Sequence, residues 1–573
     1  MSADKRLNVV LCWHMHQPEY RDLISGRFHL PWTYLHAIKD YVDMVSLLEE
    51  QPGARAVINF VPILLDQIAD YAVQVQGYLN GRMSINDPLL AALDAPVLPV
   101  RMEDRSALIR SCLKANKATL IDRFAPYKRL VEIAEWMIDK PDAVIYLGEQ
   151  YLVDLLVWYH LAWLGETVRR KDERIKQLIA KGGGFTLQER RLVLTVIGEL
   201  LSTLVERYRA LAERGQVELS MTPFAHPIGP LMLEFQSARE ALPELPLPQS
   251  SGYPGGEQRL RWHITEGIAT FKKHFGITPR GCWPAEGGIS TAMVRLLSDM
   301  GFSWTASGGS VLHNSLNRYG AKSEQDSHLA MYRPYRLKGK GNTACFFRDD
   351  GLSDLIGFTY STWHADDAVN NLVHHLETIA DSCRQVGDDC VVPIILDGEN
   401  AWEHYPENGY YFLSGLYARL SDHPKLKLAT FSSCIEEGGH VGNLPALVAG
   451  SWVYGTFTTW IGDNDKNHGW DLLCKAKQVY DETLAAGGLS DDQMTSATQQ
   501  LAVCEGSDWF WWFGDYNPAD AVSEFEHLYR LHLGNLYQIL GVKPPDILAQ
   551  IISHGGGHPV HGGAMRPGQA AVP

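Results

Sequence analysis

The sequence predicts an α/β protein in which parallel strands alternate with helices, arranged as a barrel or as an open sheet. Short apolar runs with strand character recur along the chain, and helical segments separate most of them. Polar residues capable of acid–base chemistry follow several of these runs directly. Strands that alternate with helices form parallel βαβ units, and the active sites of such folds lie at the carboxyl ends of the strands.

The strands are predicted from short apolar runs bounded by turn residues, and the helices from apolar residues that recur with helical periodicity. We expect strands at 7–13, 54–60, 217–221, a short run ending at Trp283, 302–305, 344–348, 354–360, 390–396 and 427–431. We expect helices in this part of the chain at 256–275, 290–300, 366–385 and 409–421.

These elements divide the chain into three parts. Residues 1–435 form an α/β domain, interrupted at about 87–214 by a helical insertion, because almost only helical periodicity occurs there. Residues 436–545 form a C-terminal region that is helical again from about 470. Residues 546–573 are rich in Gly, Pro and His, and we expect them to be a disordered tail.

The composition excludes several classes of partner. The 573 residues carry 51 Lys and Arg against 67 Asp and Glu, and the resulting net charge of −16 disfavours nucleic acid and anionic membranes. A neutral glycan is not affected by this charge. The apolar run before His14 is too short for a signal peptide, and no run approaches the roughly 20 apolar residues of a membrane span. The nine scattered cysteines are expected to be reduced thiols in a cytoplasmic protein.

Two segments place acidic residues beside tryptophan and glycine where a strand gives way to a loop. They read Gly281-Cys-Trp-Pro-Ala-Glu286-Gly and Ile395-Leu-Asp397-Gly-Glu-Asn-Ala-Trp-Glu403. A retaining glycosidase needs a carboxylate nucleophile and a second carboxyl about 5–5.5 Å away, and flat indole faces suit sugar rings. The alternative is that each acid caps a helix or pairs with an arginine.

Histidines follow two other predicted strands. His14 and His16 project to the same side of their strand, because side chains alternate along a strand. A metal site, hydrogen bonding to sugar hydroxyls and a structural role tied to the backbone all remain open for this pair. His226 follows the strand at 217–221 and could meet His16 at the carboxyl ends of the strands.

Tryptophans are frequent, at 16 in the chain, and some of them lie in segments suited to a glycan-facing loop. Trp460 lies in such a segment, together with Trp452 and Asp463. For a further group the alternatives are stacking on sugar or anchoring the C-terminal helices; this group comprises Trp509, Trp511 and Trp512.

Five segments in order resemble glycoside hydrolase family 57. They are His16-Gln17-Pro18, Gly215-Gln-Val-Glu-Leu-Ser-Met-Thr-Pro-Phe-Ala-His226-Pro227, Gly281-Cys-Trp-Pro-Ala-Glu286-Gly, Ile395-Leu-Asp397-Gly-Glu-Asn and Glu505-Gly-Ser-Asp508-Trp-Phe-Trp-Trp512. The resemblance runs from about 7 to 540. It implies an incomplete, seven-stranded (β/α) barrel, a helical C-terminal region that closes the cleft, and a retaining mechanism on α-glucans.

The resemblance also implies roles for individual residues. Glu286 matches the nucleophile and Asp397 the general acid/base of the family. His16, His226 and Asp508 match residues that the family places around the sugar at the cleavage point. With the candidates from the sequence itself, the full set expected to bind substrate is His14, His16, Gln17, His226, Trp283, Glu399, Trp402, His404, Trp460 and Asp508. We expect no metal and no cofactor. The segments around Glu286 and Asp397 look most like the amylopullulanase and α-amylase branch.

The leading hypothesis is a retaining hydrolase of α-1,4 bonds in maltooligosaccharides, starch or glycogen. The first alternative is a 4-α-glucanotransferase, or an amylopullulanase-type activity that also cleaves α-1,6 bonds. A non-catalytic glycan-binding protein and a metal-dependent hydrolase that uses His14, His16 and His226 are more distant alternatives. The expected partner is an α-glucan, without nucleic acid or membrane, and a homo-oligomer is compatible with the sequence.

Overall fold

A ten-stranded sheet organises the computed structural model, which describes residues 6–138, 140–320, 329–339, 341–387 and 389–557. Its strands are β1 (Leu7–Met15), β2 (Ala56–Phe60), β3 (Val217–Met221), β4 (Gly281–Cys282), β5 (Trp304–Gly308), β6 (Tyr335–Leu337), β7 (Ala344–Arg348), β8 (Val391–Asp397), β9 (Leu426–Leu428) and β10 (Gly442–Leu444).

Seven of these strands are parallel neighbours in the order β7-β5-β4-β3-β2-β1-β8. No ladder joins β7 to β8 among the described strands, but two hydrogen bonds of 2.8 Å connect them: Asp349 N to Pro393 O and Arg348 Nε to Ile395 O. The sheet therefore curls into an incomplete seven-stranded (β/α) barrel, which confirms the predicted fold class. The remaining strands extend it, with β6 antiparallel to β7, β10 beside β6, and β9 beside the start of β1.

Helices surround the barrel. Those of the α/β part are α1 (Trp32–His36), α2 (Val42–Glu50), α3 (Pro62–Leu79), α11 (Gly229–Leu233), α12 (Gly256–Phe275), α13 (Thr291–Asp299), α14 (Gly309–Tyr319), α15 (Asp350–Asp354), α16 (Ala365–Val386), α17 (Tyr410–Ser421) and α18 (Phe431–Glu436). Those of the insertion are α4 (Pro88–Ala92), α5 (Met102–Ser111), α6 (Ala125–Ile138), α7 (Glu149–Trp163), α8 (Glu166–Lys171), α9 (Glu173–Lys181) and α10 (Leu187–Glu213).

The C-terminal region is helical from Asn464 onward. Its helices are α19 (Asn464–Ala486), α20 (Asp491–Cys504), α21 (Asp508–Trp512) and α22 (Ala519–Ile539). Among the described residues, none of the helices combines the length and the hydrophobicity needed to cross a bilayer.

The central strands are largely apolar because helices cover the parallel sheet on its outer face. Every residue of β2 and of β8 is buried. The register places His14, near the carboxyl end of β1, opposite Asn59 of β2 and Asp397 of β8. Three polar side chains thus meet at one end of an otherwise apolar barrel.

The segment 354–360, predicted as a strand, is helical in the structure. The side chain of Asp349 caps α15 by accepting a hydrogen bond from Leu352 N at 2.9 Å. Helical turns then continue through Leu355–Thr359 and Tyr360–Thr362. The aromatic and β-branched residues of this segment suggested a strand, but the cap and the ion pairs of Arg348 with Asp350 and Asp354, both 2.8 Å, favour the helix.

The expectation of reduced thiols is wrong for one pair of cysteines. Cys383, near the end of α16, and Cys390, just before β8, form a disulfide with their Cα atoms 6.3 Å apart. The connection between helix and strand brings the two residues together, which a spacing of seven along the chain did not suggest.

The structure also differs from the predicted tail at its beginning. Asp546–Ala549 form a helical turn, and the Ser553 hydroxyl donates to Asp465 at 2.8 Å and accepts from Gly514 N at 2.9 Å. Residues 546–557 therefore pack against the C-terminal helices. Residues 558–573 of the predicted tail lie outside the described residues.

A buried charge network joins the C-terminal region to the barrel. Glu505, which follows α20 and is 1% exposed, accepts hydrogen bonds from Arg259 (2.7 and 2.8 Å) and from Tyr253 (2.5 Å), and its carboxylate lies 2.7 Å from His263 Nε2. Burial alone would raise the pKa of Glu505, but Arg259 and His263 lower it to about 2. The carboxylate is therefore ionised at neutral pH and stays ionised until the pH falls towards 2.

We expect Glu505→Gln to lower the free energy of unfolding at pH 7 by about 3–5 kcal/mol, because it leaves Arg259 buried without its counter-charge. The folded-state pKa is depressed, so the stabilisation is present above the ordinary glutamate pKa and is lost as the pH falls towards 2. Urea unfolding at several pH values checks both statements.

Glu257→Gln is the matched control, because Glu257 forms an exposed ion pair with Arg261 on the same helix. We expect it to change stability by less than about 0.5 kcal/mol. Equal effects of the two substitutions would contradict the importance of the network.

Candidate active site

A cavity of about 460 Å³ opens at the carboxyl ends of the barrel strands. Parts of the barrel, of the insertion and of the C-terminal region all line it. The predicted site residues found in this lining are His14, His16, Gln17, His226, Glu286, Asp397, Glu399 and Asp508. The topology therefore brings together side chains that are almost 500 positions apart in the chain.

The two predicted catalytic carboxyls face this cavity from different strands. Asp397 is the last residue of β8, and its carboxylate accepts a hydrogen bond from Asn400 Nδ2 at 2.9 Å. Glu286 lies in a tight turn after β4, and its carboxylate accepts from Trp452 Nε1 at 3.0 Å. Both side chains are almost buried, at 9% exposure for Asp397 and 12% for Glu286.

Burial shifts the proton affinity of both carboxyls in the same direction. It raises the pKa of Asp397 to about 6, against the lowering effects of the Asn400 hydrogen bond and of the Arg348 guanidinium. Burial and the charge of Asp397 raise the pKa of Glu286, against the hydrogen bonds from Trp452 and Ser507. Each of the two carboxyls therefore holds its proton to a higher pH than an exposed carboxyl does.

Two residues of the site have backbone angles in the left-handed region. Glu286 has φ 58° and His226 has φ 62°. Each is held there by a hydrogen bond to its carbonyl oxygen: Trp452 N donates to Glu286 at 3.1 Å, and Ser507 N donates to His226 at 2.9 Å. Such strain at non-glycine residues is typical of functional sites, where the surrounding structure fixes a side chain in one orientation.

Three imidazoles lie beside the carboxyls. His14 Nε2 and His226 Nε2 are 3.2 Å apart, and His16 Nε2 lies 2.9 Å from Asp508 Oδ1. The rings of His16 and His226 are stacked with their centroids 3.9 Å apart. Burial lowers the pKa of His14 to about 3 and lowers the pKa of His226 well below its ordinary value. His14 and His226 are therefore neutral hydrogen-bonding groups.

A metal ion does not fit this cluster well. His16, His226 and Asp508 each offer a ligand atom, and these atoms lie within 4.8 Å of one another. A metal bound by imidazole lies close to the plane of the ring, so each ring must be directed edge-on at the ion. The rings of His16 and His226 are instead stacked at an interplanar angle of only 22°, with their centroids 3.9 Å apart. The arrangement does not favour the metal-dependent alternative.

Glu399 supplies a third carboxyl to the cavity. It is 2% exposed, and its Oε1 accepts from His16 N at 3.2 Å and from Gln17 Nε2 at 3.3 Å. Its Oε2 has no hydrogen-bonding partner within the described residues. Burial and the neighbouring Asp397 raise its pKa, so this group can offer either a donor or an acceptor to a hydroxyl in the cavity.

Aromatic rings form two walls of the cavity. On the side of the insertion, Trp32 and Trp163 lie with their ring centroids 5.9 Å apart. The lining from the other parts of the chain contains Trp452, Trp511 and Trp512. Flat apolar faces with a few polar groups between them suit a ligand that carries both apolar ring faces and hydroxyls.

Four predicted substrate-binding residues lie outside the cavity lining: Trp283, Trp402, His404 and Trp460. The three indoles are at most 1% exposed. Trp402 Nε1 donates to Gly398 O at 3.0 Å, and Trp283 packs edge-on against Trp452 at 5.6 Å. These three tryptophans are therefore packed inside the protein and do not face the cavity.

Other lining residues carried no signal that we recognised in the sequence. Asn400 lies inside a predicted motif, yet only the fold shows that its amide reaches Asp397. Lys114 of the insertion forms an ion pair with Glu524 of α22, and both residues line the cavity. Thr119 also donates to Glu403 O at 2.5 Å, so the segment 114–119 crosses from the Asp397 loop to the C-terminal region.

An incomplete barrel with paired buried carboxyls in an aromatic cavity is the arrangement of a carbohydrate-active enzyme. The chain belongs to glycosyl hydrolase family 57, whose family model matches residues 10–444. Ser507 and Asp508 lie beyond the matched part, although both reach the cavity cluster through His226 and His16.

Solved structures of low sequence identity share the fold. The branching enzyme of Pyrococcus horikoshii matches with a TM-score of 0.55 and 17% identity, covering 99% of this chain and 100% of that one. The α-amylase AmyC of Thermotoga maritima matches with a TM-score of 0.56 and 13% identity, covering 95% of this chain and 96% of that one. A branching enzyme of Thermococcus kodakaraensis matches with a TM-score of 0.55 and 15% identity over 93% and 90% of the two chains.

We expect Asn400→Leu to move the basic limb of the pH–activity profile to higher pH. The Asn400 amide stabilises the ionised form of Asp397 and lowers its pKa, so its loss keeps Asp397 protonated to a higher pH. The measurement is kcat/KM between pH 4 and 9. Asn370→Leu makes the same change of side chain at an exposed position on α16 and serves as the control. If the basic limb did not move in Asn400→Leu, the Asn400 amide would not control the pKa of Asp397.

Proposed function

We propose that the chain is a retaining glycosidase that hydrolyses α-1,4 bonds of α-glucans, as an α-amylase does. The observation that carries this proposal is a pair of buried carboxyls, Glu286 and Asp397, facing one aromatic-walled cavity from separate barrel strands. Retaining glycosidases use such a pair as nucleophile and acid/base.

In the first step Glu286 attacks the anomeric carbon, while Asp397 donates its proton to the oxygen of the leaving sugar. A bond forms between the Glu286 carboxylate and the sugar, the glycosidic bond breaks, and the leaving chain departs with a new hydroxyl. The raised pKa of Asp397, about 6, allows it to hold this proton close to neutral pH.

In the second step Asp397, now ionised, removes a proton from a water that attacks the same carbon. The ester to Glu286 breaks, and two inversions restore the α configuration. A sugar hydroxyl in place of the water would give transfer to another chain. The related structures include both an α-amylase and branching enzymes, so the likeness of fold does not decide between hydrolysis and transfer.

The remaining lining suits a neutral sugar chain. Glu399 and Asp508 offer oxygen atoms for sugar hydroxyls, and the indoles of Trp32 and Trp163 offer apolar faces. The net charge of −16 does not oppose a ligand that is itself uncharged.

We expect Glu286→Gln and Asp397→Asn each to lower kcat on maltoheptaose at least about 100-fold, without loss of the fold as judged by thermal unfolding. An aryl α-glycoside with an acidic phenol needs no protonation as its leaving group departs. Such a substrate should restore formation of the glycosyl-enzyme in Asp397→Asn but not in Glu286→Gln. Rescue of neither variant, or of both, would contradict the two roles.

The products of maltoheptaose test the proposed activity directly, with Glu286→Gln as the blank. We expect only chains shorter than the substrate, because water is the proposed acceptor in the second step. Chromatography over a time course makes the measurement. Products longer than seven glucose units would show that a sugar hydroxyl is the preferred acceptor and would make the enzyme a glucanotransferase. An unchanged substrate would reject the α-1,4 specificity.

A further inference from the structure

Four of the elements that line the cavity contact one another in a closed ring. They are the segment 16–31 after β1, helix α22, the segment 114–119 of the insertion and the Asp397 loop, which comprises residues 397–404. Each of the four contributes residues to the cavity lining. Each also contacts the next element of the ring, and the last contacts the first.

The segment 16–31 packs along α22. His532 of the helix donates from Nε2 to Glu19 O at 3.2 Å, and both residues are buried. At the cavity itself, the rings of Tyr20 and Phe525 meet edge-on with their centroids 6.3 Å apart, and both side chains line it. A hydrogen bond and an aromatic contact therefore join the first two elements of the ring.

The segment 114–119 connects α22 with the Asp397 loop. At one end, Lys114 forms an ion pair with Glu524 of α22, and both residues line the cavity. At the other end, the Thr119 hydroxyl donates to Glu403 O at 2.5 Å. The segment therefore links the C-terminal region to the loop that follows β8.

Further hydrogen bonds hold this segment in place. The Asn116 side chain accepts from Ala118 N and Thr119 N, both at 3.1 Å, and so fixes the turn between its two ends. The Tyr159 hydroxyl of α7 donates to Lys114 O at 3.3 Å. The segment is thus fixed to the rest of the insertion as well as to its partners in the ring.

The Asp397 loop closes the ring against the end of β1. Glu399 Oε1 accepts from His16 N at 3.2 Å and from Gln17 Nε2 at 3.3 Å. Gly398 N donates to His14 O at 2.6 Å, which continues the pairing of β8 with β1. The fourth element is therefore joined to the first through its backbone and through a buried carboxyl.

Two indoles adjoin the ring. Trp32 directly follows the segment 16–31, and Trp163 lies one helical turn after Tyr159, whose hydroxyl holds Lys114. Both indoles line the cavity, with their ring centroids 5.9 Å apart. A sugar chain that has entered the ring thus meets apolar faces as well as hydrogen-bonding groups.

The closed ring restricts how a polymer reaches the carboxyls. Asp397 belongs to one element of the ring, so the bond that is cleaved lies beside it. A chain can enter a closed ring only end first, whereas cleavage in the middle of a long chain requires a groove that is open at both ends. We propose that the enzyme acts only on α-glucans with a free chain end and shortens them from that end. The inference rests on the proposed function, because it concerns the chain that Glu286 and Asp397 cleave.

Maltoheptaose and β-cyclodextrin test the proposal as a matched pair. Both consist of seven glucose units joined by α-1,4 bonds, and only maltoheptaose has chain ends. We expect kcat/KM for β-cyclodextrin to be at least about 100-fold lower, since the cyclic molecule has no end to insert into the ring. Chromatography of the products measures both rates, and equal values would overturn the proposal.

Amylose extends the test to a long chain. Cleavage near an end leaves the molar mass of the remaining polymer almost unchanged at low conversion, whereas internal cleavage lowers it steeply. We expect short products from the earliest time point and a nearly constant molar mass, measured by size-exclusion chromatography with light scattering. A steep early fall would overturn the proposal while leaving the α-1,4 hydrolase intact. If neither amylose nor maltoheptaose were cleaved, the proposed function would fail, and this inference with it.

Lys114→Ala combined with Glu524→Ala opens the ring at a partly exposed contact. An exposed ion pair contributes little to stability, so the fold should be kept, as judged by the melting temperature. We expect kcat/KM for β-cyclodextrin, relative to that for maltoheptaose, to rise by about 5-fold. An unchanged ratio in a folded double variant would overturn the role of the ring.

Lys117→Ala is the matched control. Lys117 belongs to the same segment and forms an exposed ion pair with Glu135, 3.0 Å away, but it does not line the cavity. We expect this variant to leave the ratio of the two rates unchanged. An equal rise in the control and in the double variant would show a general loosening of the segment and would overturn the closure assigned to Lys114 and Glu524.

Discussion

The burial of Glu505 against Arg259 is the constraint on which the arrangement of the site depends. A buried carboxylate is stable only beside its counter-charge, so the end of α20 must meet α12 at one defined place. Two and three residues further on, Ser507 reaches His226 and Asp508 reaches His16. The C-terminal region thereby becomes part of the site, although it lies outside the matched residues 10–444.

Local strain and hydrogen bonding cooperate at the strand ends. His226 and Glu286 both adopt left-handed backbone angles, which cost about 1–3 kcal/mol each in an isolated chain. Their carbonyl oxygens accept from Ser507 N and Trp452 N, and the side chains of the same two residues contact the strained residues as well. Each partner therefore fixes both the backbone and the side chain of a site residue, so the cavity is ordered before any ligand binds.

Most of the barrel could be predicted from the sequence because buried parallel strands are short apolar runs with distinct ends; β3 and β7 have the predicted bounds. The helical turns after Asp349 were missed because an ion pair with Arg348 outweighs the strand propensity of their residues. At the cavity, the sequence was enough to locate the acidic residues at strand ends, but it did not show in which direction the indole side chains point. Trp402 lies five residues after Asp397 in the chain, yet Trp452 and not Trp402 faces the cavity, since that depends on contacts between distant segments.

The ion pair between Lys114 and Glu524 differs physically from every other contact described at the cavity. Its two side chains are about one third exposed, whereas the carboxyls and His14 and His226 below are almost buried. Dissolved salt weakens exposed ion pairs and largely screens exposed charges more than about 10 Å apart at 0.1 M, whereas it screens buried charges much less. The contact between the insertion and α22 at the cavity is thus expected to weaken as the ionic strength rises, whereas the contacts of the buried carboxyls and imidazoles are expected to change little.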